Sequence, residues 1–169
     1  MKSKKMINII LIITTTTTAL ITGLLYGYAC SVNIGLGCLP DNEYLAAMQS
    51  INKAIQNPLF FISFMGSLFL LFFSTWLSYS QPVTLRFQLL LAASIVYLIG
   101  VLGVTIFGNV PLNNILANFN LRAASAKDIY SQRVLFEKPW VMLHTIRTIA
   151  SIVSLILLLI SLISEQKIS

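Results

Sequence analysis

Residues 139–164 of this chain read PWVMLHTIRTIASIVSLILLLISLIS, and Arg147 is their only formal charge. About 20 consecutive apolar residues are enough for an α-helix to cross the hydrocarbon core of a bilayer. This stretch exceeds that minimum, so it predicts a membrane-spanning helix that ends near Ile163, with Trp140 at the membrane interface. Pro139 suits the first turn of such a helix, which places its start at the proline.

Three further stretches contain no charged residue at all: residues 6–40, 54–85 and 87–121. The chain is 57% hydrophobic and 9% charged, whereas a soluble globular domain has about 25% charged residues. We therefore predict an all-α membrane protein, a four-transmembrane-helix bundle in which residues 1–169 form a single domain. Its spans are expected at about residues 7–30, 58–79, 85–108 and 140–163.

Short amphipathic helices are expected in the two outer loops. In the first loop, apolar residues recur at helical spacing: Leu45, Met48, Ile51, Ile55 and Leu59. This helix would lie at the membrane interface or fold over the bundle. In the second loop, Ser125 and Asp128 match the capping-box pattern, which predicts a short surface helix that ends near Phe136.

The end of the third span and the packing face of the first follow from small residues and proline. Gly108 suits a helix C-terminus, and Pro111 disfavours helical geometry at Val110, so the third span is expected to end there. In the first span, small residues recur at every fourth position and predict a face for close helix packing: Gly23, Gly27, Ser31 and Gly35.

The basic residues divide between the two sides of a four-span bundle. One side carries Lys2, Lys4, Lys5, Arg86 and Lys167, and the other carries Lys53, Arg122, Lys127, Arg133 and Lys138. The positive-inside rule weighs short loops and chain ends more than long loops, and the first set lies there. We therefore expect a multi-pass protein of the plasma (inner) membrane with both termini cytoplasmic. The net charge of +6 follows from this pattern and indicates no nucleic-acid partner.

This topology gathers polar side chains at the outer end of the bundle. On the last span, residues at spacings of four, three and four share one helical face: Trp140, His144, Arg147 and Ser151. An arginine near the membrane centre costs about 2.5–3.5 kcal/mol, so Arg147 is expected to face the bundle interior, with Asn109 and Asn113 among its acceptors. The alternative is that Arg147 extends to the headgroups and binds lipid phosphate.

Several chemistries lack the residues they need. One histidine and two poorly spaced cysteines do not make a zinc, haem or iron–sulfur site. Paired carboxylates for hydrolysis or a di-iron centre are missing from the spans, as is a glycine-rich phosphate loop. No cofactor is therefore expected.

Three segments, in this order between the four spans, resemble the anthrone-oxygenase-like family of small membrane proteins: INKAIQNPLF at 51–60, VYLIGVLGVTIFGNVPLNN at 96–114 and WVMLHTIRT at 140–148. The resemblance extends from about Gly23 to Leu158, and its most specific part is the Asn-x-Pro-Leu-Asn pattern from Asn109 to Asn113. It implies a four-helix membrane bundle and, in characterised relatives, oxidation of an anthrone to an anthraquinone by molecular oxygen without metal or flavin. By position, the family pattern is matched at Asn109, Asn113, Trp140 and Arg147.

Together these observations favour a cofactor-independent oxygenase that acts on a flat, phenolic or quinone-like lipophile in the bilayer. His144 would remove a proton, and Arg147 with the two asparagines would stabilise the resulting oxyanion. The expected catalytic residues are His144, Arg147, Asn109 and Asn113. The expected substrate-binding residues are Asn52 and, on either side of the substrate ring, Trp140 and Tyr97. The alternative is a non-catalytic membrane protein that binds lipid or a partner protein through its outer amphipathic segments.

Overall fold

Four long helices form the bundle in the computed structural model, which describes residues 4–164. In chain order the helices are α1 (Lys4–Gly27), α2 (Asn33–Gly37), α3 (Asp41–Ala54), α4 (Pro58–Leu77), α5 (Leu85–Val96), α6 (Val110–Ala117) and α7 (Ala126–Ile163). A π-helical turn, Tyr28–Val32, joins α1 to α2, and two π-helical segments, Tyr97–Gly103 and Thr105–Asn109, join α5 to α6. The joined helices Lys5–Gly37 and Leu85–Ala117, together with α4 and α7, are long and apolar enough to cross a membrane.

This architecture confirms the predicted all-helical, multi-pass membrane class. Pro58 occupies the first turn of α4, as expected, and the side chain of Asn57 accepts a hydrogen bond from the backbone of Phe60 at that helix end. Lys2 and Lys167, which entered the orientation argument, lie outside the described residues.

The four long helices pack as a ring, with α1 on α4, α4 on α5, α5 on α7 and α7 on α1. Apolar side chains such as Leu11, Leu71 and Leu90 are fully buried between them. Side-chain hydroxyls link neighbouring helices: Thr14 with Ser74 at 2.9 Å, Thr75 with Ser94 at 3.0 Å, and Ser154 with the carbonyl of Ala93 at 2.9 Å. Such hydrogen bonds and close packing hold helices together in the bilayer, because the hydrophobic effect does not drive helices to associate in lipid.

Two helices approach each other closely where Gly100 faces Ala150. A Cβ atom added to Gly100 would lie 2.5 Å from the Ala150 Cβ. We therefore expect Gly100→Ala to lower the free energy of unfolding in detergent by about 1–3 kcal/mol, the usual cost of overpacking.

The matched control is Gly66→Ala, because a Cβ there meets nothing within 4 Å. That variant should gain up to about 1 kcal/mol, since alanine favours a helix more than glycine does. The double variant Gly100→Ala, Ala150→Gly should recover most of the loss. Equal stability of the Gly100 and Gly66 variants would show that the two helices separate freely at this point.

The small-residue stripe of the first span is not a packing face, and that prediction was wrong. A Cβ atom built on Gly23, Gly27 or Gly35 meets nothing within 4 Å. A helix presents one face to a bundle, and here other residues occupy it and are buried: Leu11, Thr14, Thr18, Ile21 and Leu25. On that face the Thr14 hydroxyl bonds within its own helix, to the carbonyl of Ile10 at 2.8 Å, and across to Ser74 of α4.

The third long helix does not end at Gly108, so the predicted break at Pro111 is a second correction. Val110 has helical torsions, with φ −62° and ψ −45°, and its N–H bonds to the carbonyl of Thr105, five residues back. In a π-helical turn the hydrogen-bond register shifts by one residue, and this shift lets the helix continue past a residue that has no N–H. The helix runs on to Ala117.

The amphipathic segment predicted between the third and fourth spans is also not a separate helix. The predicted capping box at Ser125 and Asp128 is confirmed, but the helix that it starts continues through Phe136 and Pro139 to Ile163. Phe136 is 1% exposed and packs under α3. Burial of this face offsets the cost of a proline inside a helix, about 3 kcal/mol.

The helix α3 folds over one end of the bundle, one of the two predicted placements. Its Leu45 and Met48 are fully buried. We call α3 the lid, and Arg133 of α7 holds its N-terminal end in place. The Arg133 guanidinium donates to Asp41 at 2.9 Å and to the carbonyls of Leu39 at 2.7 Å and Gly37 at 2.9 Å. It also donates to Glu137 on α7 at 2.7 Å. Burial, reinforced by the charge of Glu137, raises the pKa of the Tyr44 hydroxyl, which therefore stays neutral under the lid.

Candidate functional site

A cluster of aromatic and basic side chains lies beneath the lid, where the π-helical turn Tyr28–Val32 meets α7. His144 is 1% exposed. Its ring stacks on that of Trp140, one turn earlier, with 5.1 Å between centroids and 5° between planes. The Tyr28 ring contacts both, at centroid distances of 5.5 Å to Trp140 and 5.2 Å to His144. Trp140 and His144, two residues of the predicted face of α7, thus stack on each other inside the bundle.

The hydrogen bonds of His144 determine its protonation state. Its Nδ1 atom lies 3.2 Å from Nε and 2.9 Å from Nη2 of Arg147, and its Nε2 atom lies 3.1 Å from the carbonyl oxygen of Leu25. A guanidinium only donates, so Nδ1 must accept and carries no proton. A carbonyl only accepts, so Nε2 carries the proton and donates. His144 is therefore a neutral imidazole with the hydrogen on Nε2, and its basic lone pair faces a cation.

The Arg147 guanidinium is turned into the bundle, between α7 and the π-helical segments of the third long helix. Besides His144, it donates to the Thr105 hydroxyl at 3.4 Å, and its Cζ atom lies 5.5 Å from the centroid of the Trp140 ring. Within residues 4–164, none of these contacts is a carboxylate. A partly buried cation without a counter-charge favours an anionic or electron-rich oxygen beside it.

The two asparagines contact Trp140, whereas direct bonds to Arg147 were expected. Nδ2 of Asn109 donates to the Trp140 carbonyl at 3.2 Å, and the indole Nε1 of Trp140 donates to Oδ1 of Asn113 at 2.7 Å. Arg147 and the asparagines are thus linked through the tryptophan. Oδ1 of Asn109 is buried and has no hydrogen-bond partner among the described residues. An unpaired buried acceptor costs about 1–3 kcal/mol, which a ligand's hydroxyl would recover.

Tyr97, which was expected on the opposite side of a substrate ring from Trp140, lies in a different cluster of the bundle. Tyr97 is fully buried in the core, where its ring lies 6.2 Å from that of Phe64 and its hydroxyl donates to the Phe64 carbonyl at 3.0 Å. It belongs to the cluster around Leu71 and Leu90, whereas Trp140 belongs to the cluster beneath the lid. Tyr97 therefore acts as a packing residue between α4 and the third long helix.

Asn52 lies in the lid helix, one turn beyond Met48. Its side chain is 8% exposed, and its Nδ2 donor has no partner among the described residues. Met48 accepts a hydrogen bond from the Tyr28 hydroxyl at 3.2 Å, which ties this part of the lid to the aromatic stack. Asn52 thus remains a candidate contact at the lid side of the cluster.

Three members of the cluster were not predicted: Tyr28, Thr105 and the carbonyl of Leu25. Thr105 precedes Asn109 by four residues, so a shared helical face could have indicated it. Tyr28 and Leu25 lie on the first long helix, and only the fold brings them to α7. Within residues 4–164, no group of three or more histidine, cysteine, aspartate or glutamate side chains is arranged to hold a metal ion.

These features define a multi-pass membrane protein with a basic and aromatic cluster at one end of its four-helix bundle. The family model described as anthrone oxygenase matches residues 54–157, and the chain belongs to that family. Asn109, Trp140, His144 and Arg147 all lie within the matched range, whereas Tyr28 lies before it. No match was found among curated proteins or among solved structures.

Proposed function

We propose that this protein oxidises a flat, lipophilic phenol, an anthrone or a close chemical relative, with molecular oxygen and without a metal or organic cofactor. The observation that carries the proposal is the His144–Arg147 pair: the lone pair of a neutral imidazole lies directly beside a cation that has no carboxylate partner among residues 4–164. A base and an oxyanion site are what deprotonation of such a substrate requires. The reduced substrate itself supplies the electrons.

Proton removal begins when the substrate oxygen replaces His144 as acceptor for Arg147. The guanidinium then stabilises charge on that oxygen, and the freed Nδ1 of His144 takes the proton from the methylene carbon, which lies across the central ring of the substrate from that oxygen. The hydroxyl of Thr105, 3.4 Å from Nη1 of Arg147, helps to hold the guanidinium in place. The unpaired Oδ1 of Asn109 accepts a hydrogen bond from a second substrate hydroxyl.

The resulting carbanion is electron-rich and reacts with oxygen. It forms a carbon–oxygen bond, and protonated His144 returns its proton to the distal oxygen to give a hydroperoxide. Loss of the second hydrogen from the same carbon, with cleavage of the oxygen–oxygen bond, leaves a carbonyl and releases water. One methylene and one O2 become one carbonyl and one H2O, so atoms and electrons balance.

The competing function, non-catalytic binding of lipid or a partner protein through the outer amphipathic segments, has less support. The apolar face of α3 is already buried against the bundle, since Tyr44, Leu45 and Met48 are at most 2% exposed. An apolar face that packs against the protein's own core is not free to bind a partner.

We further propose that the protein lies in the plasma membrane with both termini cytoplasmic, which places the cluster at the outer end of the bundle.

Oxygen consumption with an anthrone, measured on purified protein in lipid nanodiscs, tests the proposed function. The wild type should consume one O2 per quinone formed. Asn109→Ala should lower the rate by about two- to tenfold, because one hydrogen bond to the substrate contributes about 0.5–1.5 kcal/mol. Asn114→Ala, at an exposed position on the same helix, should leave it unchanged. No uptake above the protein-free rate by the wild type would overturn the proposal.

A further inference from the structure

A groove of about 580 Å³ runs along the side of the bundle between the third long helix and α7. We call it the lateral groove. Its walls are apolar and include Leu98, Ile99, Leu102, Gly103, Phe107 and Leu143. Ile99 is 65% exposed and Phe107 is 84% exposed, so in a bilayer the groove opens to the acyl chains.

The π-helical segments and two glycines create the lateral groove. Tyr97–Gly103 and Thr105–Asn109 form most of one wall. π-Helical turns occur frequently at functional sites. Gly108 lets the two helices meet, because a Cβ there would lie 2.9 Å from Leu143. Gly103 adds no side chain to the wall that it lines.

The cation of the candidate site lies one helical turn from this groove. Arg147 follows the lining residue Leu143 by four positions, so the two share a face of α7. Thr105, which accepts from Nη1 of Arg147, lies three residues after the lining residue Leu102 and three before the lining residue Gly108. Arg147 and Thr105 therefore adjoin the groove, although neither is among the residues that line it.

We propose that the lateral groove holds the ring system of the substrate, which enters sideways from the bilayer and directs its ionisable oxygen toward Arg147 and Thr105. This inference rests on the proposed function and locates the substrate within it. The groove volume lies within the roughly 300–1,000 Å³ typical of small-molecule sites. Only a molecule dissolved in the membrane reaches it. An acyl chain carries no charge, whereas Arg147, which has no carboxylate partner among the described residues, favours an occupant with an anionic oxygen.

Binding of 1,8-dihydroxyanthraquinone, a product-like probe that needs no turnover, tests the lateral groove. Ile99→Trp fills the groove, whereas Ile95→Trp places the same bulk one turn earlier on the same helix, at a residue that is 43% exposed. With protein in nanodiscs, Ile99→Trp should raise the Kd of the probe at least tenfold, and Ile95→Trp should leave it unchanged. Leu102→Ala, which only removes atoms from the wall, should weaken binding several-fold and covers the case in which Ile99→Trp does not fold.

The possible results separate this inference from the proposed function. Saturable binding that Ile99→Trp or Leu102→Ala weakens, in a wild type that consumes no oxygen with an anthrone, would support the groove and overturn the oxygenase. Equal affinities in all variants would overturn the groove, even if the wild type turns over an anthrone. Absence of saturable binding to the wild type would also overturn the groove inference and would indicate that acyl chains occupy the groove.

Discussion

His144→Ala is expected to lower kcat for anthrone oxidation by at least about 100-fold, since a positioned general base contributes about 10²–10⁴-fold. Arg147→Met should lose about 10²–10³-fold, as is typical when a donor to a developing oxyanion is removed. The double variant should be little worse than the poorer single variant, because residues that act as a unit are not additive. Oxygen uptake in nanodiscs measures all three rates.

Thr145→Ala is the matched control for this prediction. Thr145 lies between the two residues on α7 but is exposed, and its hydroxyl bonds only to the carbonyl of Val141. Deuterium at the reacting carbon of the anthrone separates chemistry from folding: loss of the base should enlarge the kinetic isotope effect, whereas a smaller folded fraction leaves it unchanged. A His144→Ala rate equal to that of the wild type would remove His144 from the mechanism.

The four spans were predictable because the cost of a charge in lipid is large and local. Every uncharged stretch became a long helix, and the capping box at Ser125 and the helix start at Pro58 are confirmed. The π-helical segments were not predictable, because no residue pattern in a single sequence distinguishes a π-helical from an α-helical register. Without that register shift, Pro111 is expected to end a helix that in fact continues.

The site was predictable where it depends on a single helix. The spacing of Trp140, His144 and Arg147 places them on one face of any α-helix, and the structure shows them in mutual contact. The partner of Arg147 was expected on another helix, at Asn109. His144 lies three residues before Arg147 on the same helix, within reach of the guanidinium, and the guanidinium bonds to His144 instead. Contacts across helices, such as those of Tyr28 with both rings, need the fold.

Arg86→Leu is expected to lower the free energy of unfolding by about 3–5 kcal/mol, the largest stability effect of any single change considered, because it leaves buried polar groups without partners. Arg86 is 8% exposed at the start of α5. Its Nε donates to the carbonyl of Ser161 at 3.0 Å, and its Nη2 donates to those of Leu162 at 3.3 Å and Ser164 at 2.8 Å. These carbonyls end α7, so Arg86 caps the helix that carries the site.

Unfolding by SDS titration in mixed micelles measures the effect, with Lys53→Leu as the control that removes an exposed cation. If Arg86 only extended to the headgroups, its loss would cost at most about 1 kcal/mol, as for a surface charge. Arg86→Lys should lie between the wild type and Arg86→Leu. Lysine keeps a positive charge at the negative end of the helix dipole, but its ammonium cannot bond along three carbonyls as the guanidinium does. Equal losses of unfolding free energy in the lysine and leucine variants would show that the hydrogen-bond geometry of the guanidinium, and not its charge, stabilises the C-terminal end of α7. No loss in either variant would show that α7 needs no cap.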